Sequence, residues 1–172
     1  MGRGRLRAGP EALYRPRMPV LEELERMGEE RFLAIYESLT QQGYGPLDGE
    51  LARKFKFRPH AIKKLPLTKR AQQARAHMLH GKKAELAYEI FGTYLVRRSK
   101  GLLTDFLDAT GVPHEDGMIA DVDQGRPEEG KVGAAVQALD AKYPPEDVTL
   151  YLALSAEHWP DVEAVQAAWR AR

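Results

Sequence analysis

From Pro19 onward the apolar positions recur every three to five residues, the spacing of a helix face, and not every two, the spacing of a strand. Leu21, Leu24, Met27, Phe32, Ile35 and Leu39 form the clearest stripe. Glu22, Glu23 and Glu25 lie at its start, where the helix dipole favours anions, and Gly43 follows where a helix C-terminus favours glycine. This predicts one amphipathic helix from Pro19 to Gly43. Tyr44 to Gly49 reads as a turn around Pro46, and short helices follow near residues 48–56 and 59–65, the second stopped by Pro66. Thr68 is placed to cap a helix that runs to His80 and breaks at Gly81.

Further along, residues 83–98 align Leu86, Ile90, Phe91, Tyr94 and Leu95 on a broad apolar face. Leu102, Leu103, Phe106 and Leu107 make a compact helix ending at Gly111. Val112 to Gly125 is the longest irregular stretch, with Asp116-Gly117 as its turn signal. Helices opening at Pro127, Pro145 and Pro160 then carry Val132, Val136 and Leu139, next Val148, Tyr151 and Leu152, and last Val162, Val165 and Trp169. No alternating strand pattern and no internal repeat interrupts this order. The fold expected is all-α, a compact bundle of about seven or eight helices behind a flexible N-terminal arm.

Residues 1–17 mix Gly, Pro and Arg without apolar periodicity and read as a disordered basic arm, with Met18 an alternative start of the native chain. Residues 18–172 read as a single helical domain, large enough to bury a core without disulfide or metal. The chain has no cysteine, which removes disulfides, thiolate zinc sites and cysteine nucleophiles. No apolar run approaches the roughly 20 residues that cross a bilayer, so no membrane partner is expected and the cytoplasm is the default location.

Charge changes this ordinary picture. The total of 26 Lys and Arg against 25 Asp and Glu is nearly neutral, but residues 1–100 hold 21 basic and 11 acidic side chains, and residues 101–172 hold 5 and 14. The domain thus divides into a basic subdomain (18–100) and an acidic one (101–172). From Leu51 to Ala84 there are eleven cations (Arg53, Lys54, Lys56, Arg58, Lys63, Lys64, Lys69, Arg70, Arg75, Lys82 and Lys83) and three histidines, without one carboxylate. So dense a run repels itself unless counter-charge lies beside it, either phosphate or the protein's own acidic half.

Within that run, Glu50 to Leu65 (ELARKFKFRPHAIKKL) spaces Ala52, Phe57, Ile62 and Leu65 in a way that resembles the helix-turn-helix of bacterial DNA-binding proteins. The resemblance covers sixteen residues. It implies that Arg58, His60, Ala61, Lys63 and Lys64 lie on or near a recognition helix, with Arg53, Lys54 and Lys56 approaching phosphate. Two features depart from the motif: Lys56 stands where the turn usually has Gly, and Pro66 makes the second helix short. Phe57 reads as core, and Phe55 as either core or a surface for stacking bases.

Catalytic and metal chemistry have less support. His77 and His80 are spaced to share a helix face, but eleven nearby cations disfavour a divalent ion and zinc needs three or four ligands. His114, Glu115, Asp116, Asp121 and Asp123, with Asp105 and Asp108 upstream, form an acid-rich stretch that does not match the spacing of a calcium loop. His158 reads as a helix-boundary residue. There is no phosphate-cradling glycine loop, nucleophile elbow or paired His-Glu metal motif. The sequence therefore indicates no cofactor and a non-enzymatic protein that binds nucleic acid, DNA or RNA, through a basic surface at residues 53–83. The candidate residues are Arg53, Lys54, Lys56, Arg58, His60, Lys63, Lys64, Lys69, Arg70 and Arg75. The alternative is an interaction or assembly protein in which an acidic C-terminal half docks on a basic surface, of a second copy or of another protein.

Overall fold

The computed structural model describes residues 17–56, 58–119 and 125–172. The expected basic arm, apart from Arg17, lies outside these, as do Phe57, Asp121 and Asp123. All regular structure among the described residues is helical, in ten helices against the seven or eight expected: α1 (Pro19–Arg26), α2 (Gly28–Gln41), α3 (Pro46–Phe55), α4 (Pro59–Lys63), α5 (Leu67–His80), α6 (Ala84–Arg98), α7 (Lys100–Thr110), α8 (Glu129–Lys142), α9 (Pro145–His158) and α10 (Glu163–Arg170).

The predicted Pro19 to Gly43 helix is two helices. Gly28 takes φ +72, a left-handed conformation that other residues adopt at a cost, and the chain turns there between α1 and α2. The apolar stripe survives the break because both pieces turn their Leu, Phe and Ile positions inward. Four helices begin with Pro in the first turn, at Pro19, Pro46, Pro59 and Pro145, where its missing N–H costs nothing. Pro127 and Pro160, expected to open helices, instead precede α8 and α10 by two and three residues. Thr68 lies inside the first turn of α5 and caps nothing; the residue before that helix is Pro66.

The centre of the bundle is α9. Every residue from Asp147 to Ala156 except Thr149 is buried, the signature of a helix surrounded on all sides. It packs on α1, α6, α8 and α10, while α7 lies against α8 and α2 against α5. The buried apolar residues form one cluster running from Val20 to Trp169, with α1 touching both α5 and α9 and so joining the two ends of the chain. In the irregular stretch Asp116 and Gly117 both take positive φ, and Glu115 and Met118 exchange backbone hydrogen bonds of 2.8 and 2.9 Å around them. That is the tight turn expected of an Asp-Gly pair. Among the described residues no helix is long and apolar enough to cross a membrane.

Candidate nucleic-acid interface

The basic run occupies α3, α4, α5 and the turns between them. Helix α3 buries Leu47, Asp48, Leu51 and Ala52 and exposes Arg53 and Lys54. Lys56 ends it in the left-handed conformation, φ 55, so the turn forms without the usual glycine. Arg58 is extended, and Pro59 starts α4, where Ile62 is the one buried anchor among the described side chains. His60, Lys63 and Lys64 are exposed around that anchor and Ala61 is half-buried, while Leu65, also half-buried, packs on the core. Helix α4 has five residues, about 7.5 Å of axis. It presents side chains from a corner formed with α3, the element it packs against.

Nine of the eleven cations are exposed: Arg53, Lys54, Lys56, Arg58, Lys63, Lys64, Lys69, Lys82 and Lys83. The other two, both expected on the binding surface, face inward. Arg70 is 9% exposed, gives a hydrogen bond of 3.3 Å to the buried carboxylate of Asp48, and lies over the Tyr36 ring. Asp48 also accepts from the Tyr36 hydroxyl, whose pKa is raised by burial and by that bond. Arg75 gives Nη2 to the backbone oxygens of Leu24 and Glu25, at 3.0 Å each. Those carbonyls belong to the last turn of α1, left without partners by the break at Gly28. Arg75 is thus a helix cap supplied by another helix.

Two of the exposed cations act on His77. Its ring nitrogen Nε2 is 3.3 Å from Glu50, and its pKa is lowered by burial first and then by the charges of Lys54 and Lys83. Lys83, far from Lys54 in sequence, therefore shares its electrostatic neighbourhood, which charge counting could not reveal. Glu50 also pairs with Arg53, and the Lys54 ammonium lies 5.6 Å from the Phe55 ring. Phe55 is half-buried against the core. Among the described residues no ion pair joins a cation of residues 53–83 to a carboxylate of residues 101–172.

Among the described residues, the histidines and acidic residues considered for metals form no group of three or more that could hold an ion. His77 turns to Glu50 while His80 is exposed. Asp105 accepts from Lys142 and Tyr143 at 2.6 and 2.7 Å, and these bonds lower its pKa. His114 links Asp108 to the backbone N–H of Gly117, which holds the Asp-Gly turn against the end of α7, and Asp116 pairs with Lys100. His158 ends α9, and burial lowers its pKa. No family model matches this chain, and neither the curated proteins nor the solved structures contain a match to it.

Proposed function

We propose that the protein binds nucleic acid, DNA or RNA, through the exposed cations of α3, α4 and the adjoining ends of α5. One observation carries the reading. Nine cations stand exposed in a single run, and among the described residues Arg53 alone of the nine pairs with a carboxylate. Among the described residues the acidic half, an internal source of counter-charge, spends none of it on them. Backbone phosphate supplies that counter-charge, and several phosphates held together give an affinity that isolated surface pairs within the protein do not. Arg53, Lys54, Lys56, Lys82 and Lys83 then take phosphate contacts, while Arg58, Lys63 and Lys64, at the corner, lie nearest the bases. The resemblance of α3, the Lys56 turn and α4 to a helix-turn-helix fits this placement. The shortness of α4 favours contact from the corner over a helix laid along the groove.

The test is titration of labelled duplex DNA, single-stranded DNA and RNA with wild type and with Lys54→Ala/Lys63→Ala/Lys64→Ala/Lys83→Ala, with the mass in solution measured alongside. Wild type is expected to bind at 50 mM salt and to lose about 10³ in affinity by 200 mM if six phosphates are engaged. The quadruple variant should retain its helical content, bind at least tenfold more weakly, and show a salt slope smaller by about one for each phosphate it no longer engages. A wild type that shifts none of the three nucleic acids at 50 mM salt would sink the reading. Self-association that disappears in the variant would replace it with docking between basic and acidic surfaces.

A further inference from the structure

Helices α6, α7 and α9 leave a cavity of about 410 Å³ between them, within the size range of small-molecule sites. No residue of α3, α4 or α5 lines it, so it is separate from the basic surface. Its walls are apolar, built from Val96 of α6, Leu103 and Leu107 of α7, Leu154 of α9 and Trp159. Met118, the one exposed large hydrophobic among the described residues at 60%, stands at its edge.

Two features point to an occupant. The first is Ser155, 3% exposed and part of the cavity lining, whose hydroxyl oxygen is buried with no hydrogen-bond partner. It faces the Tyr151 phenol one helical turn back, close enough to moderate the rise that burial causes in the phenol's pKa, yet completes no bond of ordinary geometry. A buried hydroxyl without a partner is unfavourable; its oxygen is covered in this structure, so a ligand atom relieves it by drawing the hydroxyl toward the cavity through rotation about χ1. The second is Gly92, in the middle of α6. Glycine disfavours a helix interior, and here neither a positive φ nor a close neighbour calls for it: a Cβ would meet nothing within 4 Å. What the glycine leaves is room in the cavity wall.

The lining also defines what fits. The Tyr88 hydroxyl and His158 Nδ1 lie 3.4 Å apart on the same wall. Burial keeps His158 neutral by lowering its pKa and keeps the phenols of Tyr88 and Tyr151 neutral by raising theirs. Arg97, the one lining cation among the described residues, is directed to the backbone and side-chain oxygens of Gln42 and lies over the Tyr44 ring. Among the described residues no lining group is therefore free to balance a charge inside, and burying an unbalanced charge is costly.

We propose that this cavity binds a small, uncharged, mainly apolar molecule carrying one hydrogen-bonding group, which the Ser155 hydroxyl meets. The probes are N-phenyl-1-naphthylamine, which is uncharged, and 8-anilino-1-naphthalenesulfonate, the same scaffold with a sulfonate, each titrated by fluorescence against the full chain. The amine should bind saturably at one site and the sulfonate at least tenfold more weakly. Gly92→Phe fills the open wall and should weaken the amine at least tenfold while melting at or above wild type, with Gly92→Leu serving the same test if the larger side chain lowers the melting temperature. Ser155→Ala should cost roughly three- to tenfold in affinity, the worth of one neutral hydrogen bond. The proposal is overturned if wild type shows no saturable amine binding, if the sulfonate binds as tightly, or if the Gly92 variants bind unchanged. None of these outcomes bears on nucleic-acid binding, which uses other helices.

Discussion

The acidic half and the basic run hold their charge in opposite ways. In residues 101–172 all five Lys and Arg side chains stand in ion pairs: Arg126 with Asp161 and Glu129, Lys131 with Glu128, Lys142 with Asp105, Arg170 with Glu163, and Arg172 with Asp140. In residues 53–83 nine cations are exposed and, among the described residues, one of them, Arg53, is paired. The cause lies in the sequence between the charges. Lys131 finds Glu128 one turn away and Lys142 finds Asp105 where α7 and α8 meet, whereas α4 and α5 carry no carboxylate at all. Arg70 and Arg75 add a third condition, cations used inside the protein. Counting charges does not separate these three states, and the proposed function depends on the separation.

The largest effect should come from the inward cations. Asp48→Ala leaves the Arg70 guanidinium buried without its carboxylate, and breaking a buried pair costs about 3–5 kcal/mol. For a chain of this length the melting temperature should fall by roughly 6–20 °C. Lys63→Ala, at an exposed position, should change stability by no more than about 0.5 kcal/mol. Thermal melts of both decide the matter: an Asp48 variant that melts with wild type would put Arg70 back among the surface cations.

The next comparison reverses one charge in each region. Lys63→Glu should lower nucleic-acid affinity by about tenfold, since it removes a cation from the corner nearest the bases and adds repulsion, while Lys131→Glu should change it less than about twofold. Both side chains are exposed, so stability should move by less than about 1 kcal/mol in either. Equal losses of affinity in the two variants would mean that net charge, and no particular surface, governs binding.

Most of the fold was legible because helices announce themselves by period. Val148, Tyr151 and Leu152 mark one inward face of α9, though not its burial on all sides, and the Asp-Gly pair marks its turn. The break at Gly28 was not legible, because glycine within a helical stripe is compatible with a continuous helix as well as with a turn. Arg70 could have been found: it shares a stripe with Ala74 and Met78 at spacings of four, so α5 buries it with them, and Asp48 precedes Leu51 and Ala52 in the same manner. Arg75 could not, since the carbonyls it caps exist only because of the break in α1. The nearness of Lys54 and Lys83 depends on how α3 packs on α5, and the cavity on how three helices fail to close. Neither leaves a local pattern apart from one glycine in α6.

The smallest expected effect tests whether the exposed cations act as one surface. His77 lies between Glu50, at 3.3 Å, and the two lysines whose charges, after burial, hold its pKa below the ordinary imidazole value. Between that lowered value and the unfolded value of about 6.5 the unfolded chain binds more protons than the folded one, so stability increases with pH across the window. The contribution of His77 is therefore complete above about pH 6.5 and is lost as the pH falls below it, and His77→Gln should flatten the decline in melting temperature between about pH 7.5 and 5.5. Lys54→Ala/Lys83→Ala should move the His77 pKa upward in an NMR titration, and Lys131→Ala should leave it in place. Saturating nucleic acid should have the same upward effect as the double variant, because phosphate neutralises the same two charges. A His77 pKa that the double variant leaves unchanged would show that Lys54 and Lys83 do not share one field, and the surface would then have to be divided at α5.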